Sequence, residues 1–412
     1  MGIVEKLDAD RVGPKPRVRR DSTAPAEHRP AIRTVEIILK VAERCNLVCS
    51  YCYYFFAGDQ SYRSRPPRIS SEVVERLASF LADGVRDLDL PSVKIVFHGG
   101  EPLLLRKADF EQACEILRAS LQRATSLELS VQTNGVLLDA EWIEIFRRQG
   151  VTVGISIDGD QEINDRFRVD RRGRGSHSRI VEGIRLLKDA AIDSPWLEPG
   201  LLTVLNAGND IARIYRHFVD ELGAKSVATL LPDCSRDDGI PNGRTAEEYG
   251  KILCDLFDMW VANTEVKQRE MHRLLAHFQK SKKGIWQGRR NPVVVVQSDG
   301  ALSMDDSYVP AQAWRERMPA GSIFADTLAD WLWSEAYCEL DGHYERLPGG
   351  CTECVWRNVC RGGDLENRYS RERSFDNPSI FCEGLKLFYL HVTRHLARNG
   401  YPVDEIFARL EI

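Results

Sequence analysis

Between Thr34 and Asp233, short apolar runs alternate with amphipathic stretches, and this alternation is the strongest constraint on how the chain can fold. Thr34–Val41 (TVEIILKV), Val93–Phe97, Leu127–Gln132, Val151–Ile157, Leu201–Leu205 and Ser226–Leu231 are rich in β-branched and apolar residues and predict strands. Helical patterns fall between them at Ser70–Val85, Asp109–Arg123, Asp139–Gln149, Ser178–Ala190 and Asp210–Leu222, several opening on a Ser or Asp cap. Repeated strand–helix units predict a parallel sheet with crossover helices. Six strands are too few for a closed eight-stranded barrel, so the expected fold is α/β, an open partial barrel. In such folds the loops after the strands carry the chemistry.

At 412 residues the chain exceeds one compact core. Residues 1–33 are proline-containing, charged and aperiodic, and predict a flexible leader. The barrel is expected over 34–232 and a helical bridging region over 233–290, with helices at Thr245–Thr264 and Glu265–Lys280. A small cysteine-rich domain follows over 291–385. It opens with a strand at Pro292–Gln297 and a hairpin turning at Asp299-Gly300, and a helix is expected at Asp326–Tyr337. A C-terminal helix and tail complete the chain over 386–412. A net charge of −5 predicts no general affinity for nucleic acid or anionic lipid. No apolar run has the length of a membrane span and no signal peptide is evident, so cytoplasm is the expected location.

Eleven cysteines are many for that compartment, and clustered thiols there point to metal or redox chemistry. Cys45-x3-Cys49-x2-Cys52 directly follows the first predicted strand. Three thiolates can hold three irons of a cubane and leave the fourth open to a small molecule. Structural zinc wants four ligands, and the nearest later candidate is His98. Cys351-x2-Cys354-x5-Cys360 with Cys382 supplies four thiolates, enough to close a cubane or a four-cysteine zinc site. Cys114 and Cys254, alone in apolar stretches, read as inert buried thiols.

The first cluster, with Tyr51 before its third cysteine, resembles that of the radical S-adenosylmethionine (SAM) superfamily. FHGGEP at Phe97–Pro102, QTNG at Gln132–Gly135 and SIDG at Ser156–Gly159 lie at strand ends, as in that family. The resemblance covers about residues 34–232 and implies a 4Fe–4S cluster on Cys45, Cys49 and Cys52. It implies SAM contacts from Tyr51, Gly99, Gly100, Glu101, Asn134, Ser156, Asp158 and Arg168. The two glycines would let the backbone approach the methionyl amine, with Glu101 as an acceptor nearby. An external one-electron reductant of the flavodoxin or ferredoxin type is implied as well. In that family reduced cluster and SAM yield a 5′-deoxyadenosyl radical.

The second cluster is similar to the SPASM extension of peptide-modifying radical SAM enzymes, which usually carries two auxiliary clusters. Here Ser298, Met304, Asp326 and Asp364 stand where further thiolates are usual, so one auxiliary 4Fe–4S cluster is expected, on Cys351, Cys354, Cys360 and Cys382. Cys338 reads as a structural thiol. DQSYRSRP at Asp59–Pro66, LLPD at Leu230–Asp233, Asp306 and FDNPSIFC at Phe375–Cys382 resemble maturases that build cyclophanes in ribosomally made precursor peptides. Those enzymes join an aromatic ring carbon to a nearby Cβ. On that resemblance Asp306 is the candidate base. Thioether formation, epimerisation and formylglycine-generating sulfatase maturation stay open, as does a metal-binding interaction protein with a degenerate core.

Overall fold

The computed structural model describes residues 32–56, 60–279, 291–318 and 320–410. The leader expected over 1–33 lies outside them, apart from its last two residues. Ten strands form one sheet: β1 (Thr34–Ala42), β2 (Ser92–Gly99), β3 (Ser126–Thr133), β4 (Val151–Ser156), β5 (Gly200–Val204), β6 (Ser226–Leu230), β7 (Lys267–Gln268), β8 (Val293–Val296), β9 (Ala301–Met304) and β10 (Gly321–Ser322). Their order is β10-β9-β8-β1-β2-β3-β4-β5-β6-β7. β1 to β6 pair in parallel, each with the next, as the strand–helix repeat predicts. No pairing closes β7 onto β10 among the described residues, so the barrel is open.

Local chemistry explains the elements. Val35, Ile37, Leu39 and Val41 alternate along β1 and are fully buried. They share one core with Leu77, Phe80, Phe97, Phe110 and Trp142. Phe97 and Phe110 meet at 4.4 Å and Phe110 meets Trp142 edge-on at 5.3 Å, which joins β2 to the two helices outside it. The helices start where oxygen side chains satisfy free amides. Ser70 accepts from Val73 N, Asp139 accepts from Trp142 N, and Thr245 with Glu248 forms a full capping box.

Three predicted helices differ in detail. Asp210–Leu222 is an α-helix only over Ile211–Arg216 and continues as a π-turn over His217–Glu221. Glu265–Lys280 opens with β7, drawn into parallel pairing with β6, before its helix Arg269–Gln279. Asp326–Tyr337 splits into Leu328–Leu332 and Glu335–Glu345, because Ser334 takes the extended conformation of an N-cap.

The sheet also runs past residue 232. β8 lies parallel to β1, with Ile38 opposite Val295 and Leu39 opposite Val296. β9 returns antiparallel through the predicted Asp299-Gly300 turn, where Gly300 N donates to Gln297 O at 2.9 Å. Because β1 and β8 end on the same side, the β8–β9 turn meets the segment after β1, where Ser298 N donates to Glu43 Oε1 at 3.2 Å. The helix Cys382–Arg398 crosses Ala246–Ala262 so closely that a Cβ on Gly384 would sit 2.1 Å from Ala246 O. Among the described residues, no helix is long and apolar enough to cross a membrane.

Candidate active site

The cysteine loop is clamped by the end of β2. Gly100 N donates to Ala42 O at 2.8 Å and Glu101 N donates to Arg44 O at 2.9 Å. Gly99 has φ of 137°, and a Cβ there would lie 2.1 Å from Ala42 O. On Gly100 it would lie 2.5 Å from Arg44 O and 2.7 Å from the Phe55 ring. Both glycines thus let the end of β2 approach the cysteine loop closely. Glu101 ties this end to its neighbours. Its buried carboxylate accepts from Leu103 N, Thr133 Oγ1 and Asn134 N at 3.0, 2.6 and 2.8 Å, tying the β2 and β3 loops together.

Cys45, Cys49 and Cys52 are partly exposed, and their charges couple. Burial, with Glu101 and the other two cysteines adding, pushes Cys45 up to about 12. Such sulfurs stay protonated unless a cation takes up the thiolate charge, which is what iron does. Asn134 Nδ2 stands 3.7 Å from Cys45 Sγ and donates to Asn46 Oδ1 at 2.8 Å. His98 is no fourth ligand: its Nδ1 accepts from Gly99 N at 2.8 Å, and burial and the Lys40 charge push it down to about 3. Among the described residues no three His, Cys, Asp or Glu side chains converge on a single metal ion. Cubane thiolates each bind their own iron and need no such convergence.

Beside this loop, residues distant in sequence meet. Arg168 Nη1 donates to Tyr51 OH at 2.6 Å, and Tyr51 OH donates to Asp158 Oδ2 at 2.5 Å. Arg168 and Asp158 are 8% and 5% exposed, whereas Tyr51 is 39% exposed, so the tyrosine is the member of the trio that reaches the surface. Arg168 Nε and Asp158 Oδ1 make no hydrogen bond within the protein, although Asp158 Oδ1 lies 3.7 Å from Arg168 Nη1. A buried donor and a buried acceptor with hydrogen bonds still to make fit a ligand bearing both carboxylate and hydroxyl groups, as SAM does. Ser156 Oγ accepts from Gln132 Nε2 at 2.9 Å in the neighbouring strand end.

Lys40 and Tyr53 went unnoticed in the sequence. Lys40 sits fully buried in β1 and pairs with Asp306 from the segment after β9. Tyr53 OH donates to the same oxygen, Asp306 Oδ2, at 3.1 Å. Burial alone would raise the Asp306 carboxyl, but the Lys40 charge and hydrogen bond outweigh it and hold Asp306 below the usual carboxylate range. A lysine inside an otherwise apolar strand was the available signal.

Asp305, Asp306 and Asp364 crowd Asp233, and Asp305, Asp364 and Asp233 crowd Glu366. Asp233 keeps solvent-accessible area although protein atoms surround much of it. Arg273 meets Asp364 at 2.5 Å. Burial, then repulsion from Asp305, Asp306 and Asp364, pushes Asp233 up to about 7. Between its unfolded value and about 7 the folded state binds more protons, so stability falls as pH rises through that window. Asp233→Asn should therefore raise the melting temperature most at about pH 8, less at about pH 5 and not at all below the unfolded value of 3.8, read by differential scanning fluorimetry.

The second set also comes together. Cys360 is coupled to Cys382, Cys351 and Cys354, and burial pushes it up to about 12. This irregular region is ordered by side chains bonding to backbone. Arg368 Nε donates to Phe375 O and Asn377 O at 2.9 and 3.1 Å, and Asn367 Nδ2 donates to Pro232 O and Cys234 O at 3.2 and 3.0 Å. Cys338 lies on another helix, its Sγ 3.7 Å from Trp333 O. Ser298 Oγ donates to Pro66 O, Met304 is buried in β9, Asp326 accepts from Ser322 N, and Asp364 pairs with Arg273.

Comparison with known proteins agrees with this geometry. The Radical SAM superfamily model matches residues 39–207. A serine-type anaerobic sulfatase-maturating enzyme of Bacteroides thetaiotaomicron is 26% identical over 397 residues, 89% of this chain and 91% of that one. A cysteine-type enzyme of Clostridium perfringens is 27% identical over 365 residues, 86% and 94% of the two chains. An uncharacterised Synechocystis protein is 30% identical over 357 residues, 84% and 87%. The solved structure of native anSMEcpe with bound AdoMet superposes with a TM-score of 0.75 at 24% identity, covering 89% of this chain and 98% of that one, and so shares the fold. The chain belongs to the radical SAM superfamily. It is a radical SAM enzyme, and SAM and 4Fe–4S clusters are the cofactors of its chemistry.

Proposed function

We propose that the chain oxidises a side chain of a peptide substrate by two electrons, starting at Cβ, with Asp306 accepting the proton. The observation that carries this reading is the Asp306 carboxylate, held between Lys40 and Tyr53 beside the cysteine loop. When bound, SAM with a cluster on Cys45, Cys49 and Cys52 supplies a hydrogen-abstracting 5′-deoxyadenosyl radical, and a cluster on Cys351, Cys354, Cys360 and Cys382 supplies an acceptor for one electron. Tyr51, Asp158 and Arg168 hold the polar end of SAM. Asn134 and Ser156 line the strand ends around it. Lys40 keeps Asp306 ionised, and Tyr53 fixes the oxygen that takes the proton.

The named relatives support the sulfatase-maturating form, in which a serine or cysteine becomes formylglycine. This replaces cyclophane formation as the leading reading. Crosslinking stays as the second reading on one observation: Ser298, Asp326 and Asp364 are engaged in hydrogen bonds and Met304 in packing, where a three-cluster maturase would present thiolates.

The test uses anaerobically reconstituted full chain, SAM and reductant, with a serine-containing sulfatase-motif peptide and, separately, a small peptide encoded beside the gene. Loss of two hydrogens with a hydrazide-reactive aldehyde is the expected result. Loss of two hydrogens without aldehyde, and with fragment ions missing between two residues, establishes the crosslink instead. Unchanged mass on both peptides, with SAM cleaved, overturns the oxidation reading.

A further inference from the structure

We propose that a hollow beside the β8–β9 hairpin binds an extended, carboxylate-bearing segment of the peptide substrate. This deepens the reading of the chain as a peptide-modifying enzyme and rests on it. The hollow, of about 420 Å³, lies between β9, Gly321 of β10, the short helix Gln312–Arg315 and the segment carrying Arg65. None of the cysteines, of the residues around Arg168, or Asp306 itself is among its lining residues. Met304 and Val309 do line it, and Asp306 stands between them in the chain. A segment held here therefore lies against the element that carries the base.

Two buried polar atoms of the lining residues lack hydrogen-bond partners. Gln297 is 3% exposed and donates from Nε2 to Ser303 Oγ at 2.9 Å, but its Oε1 accepts nothing. Trp331 is 2% exposed, and its Nε1 has no acceptor. The indole packs here because Gly321 has no side chain: a Cβ on it would lie 2.4 Å from the Trp331 ring. A free acceptor and a free donor in one hollow are the complement of a peptide group, which brings one N–H and one C=O.

The sheet edge asks for the same ligand. β8 pairs with Leu302, Ser303 and Met304, whereas β10 pairs with Ala301 and Leu302. On the side away from β8, Ser303 and Met304 have no strand neighbour among the described residues, and both line the hollow. An extended peptide can add there as a strand that continues the line of β10.

Charge selects the side chain. Arg65 lines the hollow with Asp299 Oδ2 at 3.9 Å, the outer limit of an ion pair. Arg315 lines it too and has no carboxylate at ion-pair distance among the described residues. Glu316, the one carboxylate in the lining, accepts from Gln312 Nε2 at 2.8 Å. Two guanidiniums and one carboxylate leave one positive charge in excess, which an Asp or Glu of the peptide balances. A guanidinium holds such a carboxylate through two parallel N–H donors.

The experiment titrates anaerobically reconstituted full chain into two fluorescein-labelled probes, Thr-Val-Glu-Val-Thr and its twin with Gln in place of Glu. Anisotropy should show the Glu probe binding about 10-fold tighter than the Gln probe. Arg315→Gln should remove that preference and Arg315→Lys should keep most of it, with melting temperatures as the check on folding. Trp331→Phe, which deletes the indole N–H, should weaken both probes alike by about 3–10-fold. Bound Glu probe should also slow hydrogen exchange over Ala301–Met304. Equal affinity of the two probes for wild type overturns the proposal, as does a preference that survives Arg315→Gln, or exchange over β9 that the probe leaves unchanged. Peptide oxidation is scored separately on the serine-containing sulfatase-motif peptide. Its absence, with the Glu preference intact, overturns the oxidation reading and not the binding site.

Discussion

Cys45→Ala is expected to leave a folded chain that no longer cleaves SAM. The iron content should fall from about eight to about four atoms per chain after reconstitution. The reason is local. Cys45 is coupled to Cys49 and Cys52, and its loop is clamped by Gly100 and Glu101 rather than by the sulfur itself. Removing the thiol therefore deletes a ligand without undoing the β1–β2 end. Cys382→Ala should do the reverse: 5′-deoxyadenosine still forms, the peptide product is lost, and about four irons remain. Iron assay, Mössbauer spectra and liquid chromatography of 5′-deoxyadenosine check both. Equal loss of SAM cleavage in the two variants would contradict two independent cluster sites.

Asp306→Asn is the second large effect. The amide matches the carboxylate in shape but cannot accept the proton, so peptide product should fall about 10²–10⁴-fold while SAM cleavage continues. Uncoupled 5′-deoxyadenosine without modified peptide is the diagnostic result. The pH dependence carries the sign. Lys40 holds Asp306 below the usual carboxylate range, so the base is ionised throughout the neutral region and the wild-type product rate should show no acid limb from it there. In Lys40→Met burial acts unopposed by that charge, the carboxyl rises, and an acid limb should move toward neutral pH. A flat profile in Lys40→Met would remove Lys40 from the positioning role.

Much of the barrel was legible because its signals are local. The caps at Ser70 and Asp139 and the turn at Asp299-Gly300 act within a few residues of themselves. The two cysteine sets were legible for the same reason, since ligand spacing in a loop is short-range. What was missed depends on pairing across distance. Two residues of β7 carry no periodic pattern, and their strand state comes from lying against β6. The split at Ser334 is a cap signal inside a helical pattern, and the apolar residues around it masked it. Gly99, Gly100 and Glu101 stand out in the sequence as a turn, but that they clamp the chain's own cysteine loop and the end of β3 depends on contacts across distance.

The sequence by itself determined the strand–helix repeat, the open parallel sheet and the two thiol sets, because periodicity and loop spacing are properties of neighbouring residues. Only the tertiary structure decided what surrounds those thiols. β8 pairs with the free edge of β1, and the β8–β9 hairpin then leads into the segment whose Asp306 meets Lys40. The same long-range packing joins Tyr51 to Asp158 and Arg168, and lays Arg171, Arg172 and Arg174 against Cys45. A buried charge needs a partner in space rather than in sequence, and the sheet order supplies it.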